Sequence, residues 1–178
     1  LRDLVVRDIA SLQELLENMD SNALTQAVEL LQQANIIYLA GQLRSSPVVE
    51  LLRYILTMLG KRCILLDPSG GLATHMARNM QTSDVLVAVS FRFYAKEVVN
   101  IVEEASTHQV PIIAITDSTL SPVAKSAKVL FSVPEHEYAF SRSLAAPMCL
   151  AQALTVALAN RLQVGETDQP AKIRTVTR

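Results

Sequence analysis

The stretch DVLVAVSFRFYAKEVVNIVEEA, residues 84–105, carries two periodicities in succession. Residues 85–89 form an unbroken apolar run rich in β-branched side chains, the texture of a strand covered on both faces. Val98, Val102 and Ala105 then recur at helical spacing up to His108. Between the two, SFRFYA at 90–95 is either a phosphate-binding turn or only the place where a strand meets a helix. A strand that feeds directly into a helix is half of a parallel crossover unit, so the neighbouring text should repeat the pattern.

It does. IIYLA (36–40), CILL (63–66), IIAI (112–115) and VLFSV (129–133) are further short apolar runs, separated by segments with helical periodicity or turn residues. Val48, Leu52, Ile55, Leu56 and Leu59 make one helical stripe that stops at Gly60. Leu144, Met148, Ala151, Leu154, Leu158 and Leu162 make another, with Pro147 near its first turn, where a missing N–H is tolerated. Before the first strand, Val5, Ile9, Leu12 and Leu16, then Leu24, Ala27, Val28 and Leu31 behind a cap at Asp20 or Ser21, predict two helices. The fold class expected is α/β: a doubly wound, parallel five-stranded sheet flanked by helices, a flavodoxin-like sandwich with N-terminal helices and a long C-terminal helix. Ligands in such sheets settle beyond the carboxyl ends of the strands, where the strand order reverses.

Composition narrows the function classes. The 178 residues suit one domain, half of them hydrophobic, with aromatics at only 4%, so the core is built from aliphatic and alanine packing. Sixteen Lys+Arg against seventeen Asp+Glu leave no basic excess for gripping a nucleic-acid backbone. Cys63 and Cys149 sit far apart in apolar runs and read as two buried, reduced thiols of a cytoplasmic protein. Residues 144–159, the least charged stretch, are shorter than the ~20 needed to span a bilayer, and no basic leader with an apolar segment argues for export. His75, His108 and His136 share no metal-ligand spacing, and no GxGxxG or GxxxxGK[ST] occurs, so neither metal nor nucleotide cofactor is expected. A receiver domain would need an aspartate at the end of the third strand, where Ser90 stands.

The loops at the expected ligand rim can be placed in advance. After the first strand, Gly41 permits a sharp turn, Ser45 or Ser46 can cap the following helix, and Pro47 suits its first position. The same hydroxyls and helix-terminal amides suit a phosphate, although for this loop alone a serine cap is the stronger reading. After the third strand come Ser90, Arg92, Tyr94 and Lys96, with Phe91 and Phe93 as side chains that plug the sheet edge. Glu97 lies one turn along and is expected to face away from the pocket. After the fourth strand, Asp117 ends the strand and Ser121-Pro122 starts a short helix; residues 67–71 form a flexible loop on the same rim.

AGQLRSSPVVELLRYILTMLGKR, AVSFRFYAKEVV, VPIIAITDSTLSPVAKSAKVLFSVP and FSRSLAAPMCLAQALTVALANRL together resemble the sugar isomerase (SIS) domain, more narrowly the effector domain of RpiR-family bacterial transcription regulators. The resemblance covers about residues 20–162. It implies a dimer or higher homo-oligomer that senses a phosphosugar or related anionic carbohydrate, with DNA bound only through an N-terminal helix-turn-helix domain absent from this chain, which begins at Leu1. Residues 1–19 would then be a connector helix, and residues 163–178 a polar tail held by packing or by a partner.

The family's phosphate site uses serines after the first strand, matched by Ser45 and Ser46, and an S-x-S-G-x-T turn after the third, in which only Ser90 is retained. Arg92 replaces the second serine, Phe93 the glycine and Ala95 the threonine, so hydroxyl donors give way to a planar cationic fork. Arg142 and Ser143, ahead of the last helix, complete the expected ligand-binding set of Gly41, Ser45, Ser46, Ser90, Arg92, Tyr94, Lys96, Arg142 and Ser143. The rival reading is an aldose–ketose phosphosugar isomerase, which needs a general base that the SFRFYA turn lacks; Glu135, His136 and Glu137 are its remaining candidates.

Overall fold

A computed structural model describes residues 1–67, 69–133, 137–138 and 141–167. The chain runs α1 (Arg2–Asn18), α2 (Ser21–Gln33), β1 (Ile37–Ala40), a 3₁₀ turn (Leu43–Ser45), α3 (Ser46–Met58), β2 (Cys63–Leu65), a second 3₁₀ turn (Ser69–Gly71) and α4 (Ala73–Ala77). It continues with β3 (Val85–Ser90), α5 (Lys96–Thr107), β4 (Ile112–Thr116), β5 (Val129–Ser132), β6 (Glu137–Tyr138), β7 (Ser141–Arg142) and α6 (Ala145–Thr167). Five strands pair in parallel in the order β2-β1-β3-β4-β5, and β6 and β7 form a small antiparallel ribbon. The α/β class and the five predicted strands are therefore correct.

Strands β1, β3 and β4 are buried along their whole length because helices cover both faces. On one face α2, α3 and α6 pack Leu31, Leu52, Leu56 and Leu154 against Leu39, Val87 and Ile113. On the other, α4 and α5 pack Ala77, Ile101 and Val102 against Tyr38, Leu86 and Ile112. Alternate residues of one strand thus serve opposite layers, as the two-residue period requires.

Several expectations need correction. Helix α1 forms, but Val5, Ile9, Leu12 and Leu16 face outward; its buried residues are Ser11 and Leu15, which lie against α6. Cys149 is exposed and Cys63 half-buried, so neither is a core thiol; burial nonetheless pushes the Cys63 thiol above its ordinary pKa. Ser121-Pro122 begins a series of turns rather than a helix. Helix α6 runs on to Thr167, through the first residues read as tail, and the remainder of the tail lies outside the described residues. Among the described residues, no helix is long and apolar enough to cross a membrane.

Gly41 is needed for closeness rather than for an unusual turn. A Cβ there would stand 2.8 Å from Val49 Cγ1 and 3.3 Å from the Ser45 carbonyl oxygen, so the end of β1 lies directly on the first turn of α3. The left-handed residue of this loop is Leu43, at φ 53°. Gly41→Ala should destabilise the fold by about 1–3 kcal/mol, the usual cost of overpacking. Urea unfolding checks this; an unchanged midpoint would show that α3 can back away from the strand.

Candidate functional site

The carboxyl ends of β1, β3 and β4 form one rim, with Ala40 beside Ala88 and Ser90 beside Thr116. Strand order reverses between β1 and β3, and the chain leaves β1 through α3 on one face and β3 through α5 on the other. Such a switch point is the usual ligand position in an open α/β sheet.

Three guanidinium groups gather at this rim on two aromatic rings. Arg44, in the first loop, is half-buried with its Cζ 4.9 Å from the Phe91 ring centroid. Arg92 and Arg142 each bring Cζ to 5.6 Å from the Phe93 centroid. Such stacking is worth roughly 0.5–1 kcal/mol at exposed sites and more where water is excluded. Burial is the main influence lowering the Arg44 pKa, and the positive charge of Arg142 adds to it while Asp117 opposes it. Like charges are therefore held near one another at partial desolvation, an arrangement that favours an anion.

The two phenylalanines do different work. Phe91 is buried in the core beneath Arg44, as a plug of the sheet edge should be. Phe93 is 80% exposed and sits at φ 71°, so it does not plug the sheet edge as expected. A left-handed backbone costs a non-glycine residue roughly 1–2 kcal/mol, yet the turn keeps here the conformation suited to the glycine of S-x-S-G-x-T. The bend is retained, and a ring that carries two arginines stands in place of open backbone.

Around this cluster, polar side chains link the loops. Arg44 Nη1 donates to the Ser143 carbonyl at 3.5 Å, and the Ser143 hydroxyl accepts from the Ala145 N–H at 3.0 Å while donating to Asp8 Oδ1. Tyr94 hydrogen-bonds Asp117; burial, then that bond and the carboxylate charge, raise the phenol pKa. Thr116 Oγ1 donates to Asp117 at 3.2 Å. Gln42 Nε2 donates to Glu97 Oε2 at 3.3 Å, so Glu97 reaches back to the first loop instead of facing away from it.

The expected residues fall into two groups. Arg92 and Arg142 share the Phe93 ring, Tyr94 meets Asp117, and Ser143 meets Arg44. Ser90 and Ser45 are buried, Ser46 opens α3, Lys96 opens α5 with its side chain exposed, and Gly41 is occupied with helix packing. Ser45 occupies the N-cap position of α3 without a side-chain cap hydrogen bond, so capping does not account for its hydroxyl. Sequence reasoning passed over Arg44, Asp117, Gln42 and Glu97 as site residues. The signal for Arg44 was its place beside Ser45 in a loop already chosen, and for Asp117 its place at a strand end on the rim. Glu135 and His136 lie outside the described residues, and Glu137 lies in β6.

Comparison with known proteins agrees with this architecture. The sugar isomerase domain of an RpiR transcription factor from Sphaerobacter thermophilus superimposes with a TM-score of 0.86 at 26% identity, covering 93% of this chain and 96% of that one. The Vibrio vulnificus NanR protein, solved in complex with ManNAc-6P, superimposes with a TM-score of 0.82 at 24% identity over 93% of this chain and 64% of that one. An uncharacterised helix-turn-helix-type transcriptional regulator of Thermotoga maritima is 26% identical over 129 residues, 72% of this chain and 46% of that protein. The chain thus spans about half the length of this curated relative. Phosphoheptose isomerase of Neisseria gonorrhoeae shares the fold as well. The SIS domain model matches residues 30–157, the span of the sheet and its flanking helices, and the chain belongs to the SIS domain family.

Proposed function

We propose that this chain is the effector-sensing and dimerisation domain of a cytoplasmic bacterial transcription regulator. Its ligand is a small anionic carbohydrate, a phosphosugar or a related acid, held at the β1–β3 rim, and it acts on DNA through an N-terminal domain outside the chain. The single observation that carries the reading is the convergence of Arg44, Arg92 and Arg142 on Phe91 and Phe93 at the switch point. The NanR structure holding a sugar phosphate on the same fold supports the ligand class. Residues 1–19 act as the connector and residues 20–162 as the sensing domain. Arg44 is the principal anion ligand because it is partly desolvated, with Arg92 and Arg142 closing from the solvent side and Ser45, Ser46, Ser90, Tyr94 and Lys96 lining the crevice.

The outward stripe of α1 supplies the dimer contact. Val5, Ile9, Leu12 and Leu16 are spaced four, three and four residues apart, a coiled-coil seam, and are 36–79% exposed. A second copy pairing through this helix about a two-fold axis buries the stripe against itself.

Glu97 gives the isomerase reading a physical foothold, since it places a carboxylate at the first loop. Turnover of a sugar phosphate that disappears in Glu97→Gln would move the chain to that reading.

Isothermal titration with a panel of sugar phosphates, sugar acids and polyols tests the ligand class. Arg44→Ala should weaken anion binding by about 1.5–3 kcal/mol, the value of a hydrogen bond to a charged group. Arg92→Ala, at an exposed position, should cost under about 1 kcal/mol. Undiminished affinity in Arg44→Ala would remove the anion site. The double variant Ile9→Glu, Leu12→Glu should weaken self-association by about a hundredfold or more in sedimentation, as expected from losing two buried aliphatic side chains. An unaltered dimer in that variant would place the interface elsewhere.

A further inference from the structure

Ser143 stands between the arginine cluster and the first helix. Its carbonyl takes the Arg44 guanidinium, and its hydroxyl both caps α6 at Ala145 and donates to Asp8 of α1. The preceding residue, Arg142, lays its guanidinium over Phe93, so one peptide joins an anion-facing side chain to a helix-facing one. Helix α1 packs on α6, and its buried residues are Ser11 and Leu15. Its second half borders a cavity of about 380 Å³ lined by Glu14, Leu15 and Asn18 on one side and Asp117, Leu130 and Phe131 on the other. Space beneath a helix makes its displacement cheap, because close packing need not be broken along its length.

We propose that the Asp8–Ser143 hydrogen bond is a latch through which occupancy of the arginine cluster releases α1. The inference rests on the anion site proposed above and adds how that site is read. At 3.5 Å, the Arg44–Ser143 contact is at the outer limit of a hydrogen bond and is easily outcompeted by a charge-assisted bond to an anion. An anion that draws Arg44 off the carbonyl and Arg142 toward itself moves the Ser143 turn from both sides. The hydroxyl then loses Asp8, and α1 swings into the space beneath it. Because α1 also carries the outward apolar stripe, its release changes how two copies meet. The ligand does not need to touch the helix; it needs only a higher affinity for the unlatched state.

Hydrogen exchange over residues 2–10 tests the latch in two arms. Without any anion, Asp8→Ala should speed exchange there by about tenfold, the size of one hydrogen bond to a charged group, Arg44→Ala should speed it by less, and the double variant should go no further than Asp8→Ala. Asp8→Asn keeps an acceptor for Ser143 and should resemble the parent, while exchange in β3 reports whether any variant has loosened as a whole. Additive effects, or no effect over residues 2–10, would overturn the latch. In the second arm, inorganic phosphate should speed exchange of α1 in the parent and leave Asp8→Ala unchanged, with a rise in Tm in both. A rise in Tm with α1 unmoved, or with α1 better protected, would sink the latch and keep the anion site. No thermal response to phosphate would count against the anion site and so against the trigger, whatever the ligand-free arm shows.

Discussion

Everything in this protein depends on a parallel sheet that must be covered on both faces. Strands β1, β3 and β4 have no polar side toward which a solvent-facing layer could develop, so helices have to lie above and below. With right-handed crossovers, two-sided coverage forces the chain to run outward from β1 in one direction and then return to run outward in the other. The reversal between β1 and β3 is the consequence, and it sets the switch point on the rim. The site follows from how the sheet is covered.

What fills that place is a set of cations that hydrophobic rings make tolerable. A guanidinium can be half-buried against Phe91 because its face is weakly hydrated, where a lysine ammonium could not be. The exchange of the hydroxyl-rich turn S-x-S-G-x-T for SFRFYA is therefore coherent rather than degenerate. Phe93 holds the left-handed bend that glycine would otherwise supply and gives Arg92 and Arg142 a common platform. Point donors for a phosphate are traded for planar charge, which suits carboxylates and phosphates alike.

The same rim is linked to α1. Asp8 reaches it through Ser143, and the cleft beneath the second half of the helix has Asp117, the partner of Tyr94, on its far wall. A helix with two buried residues is better suited to moving as a unit than the doubly covered sheet is.

The sequence alone determined the class of fold and the five strands of the sheet along the chain. Those depend on periodicity and on β-branched runs, which local text records. It also located the turn at 90–95 and the pair Arg142 and Ser143, because motif order is written along the chain. Only the tertiary structure decided which face of α1 is buried: the apolar stripe at Val5, Ile9, Leu12 and Leu16 looks like a core face, yet Ser11 and Leu15 lie against α6. It likewise decided that Gly41 serves a close approach, that Glu97 turns back to Gln42, and that Arg44 joins the cluster. Each depends on what a neighbouring element distant in sequence presents at short range, and periodicity describes a segment's own faces without saying what stands opposite them.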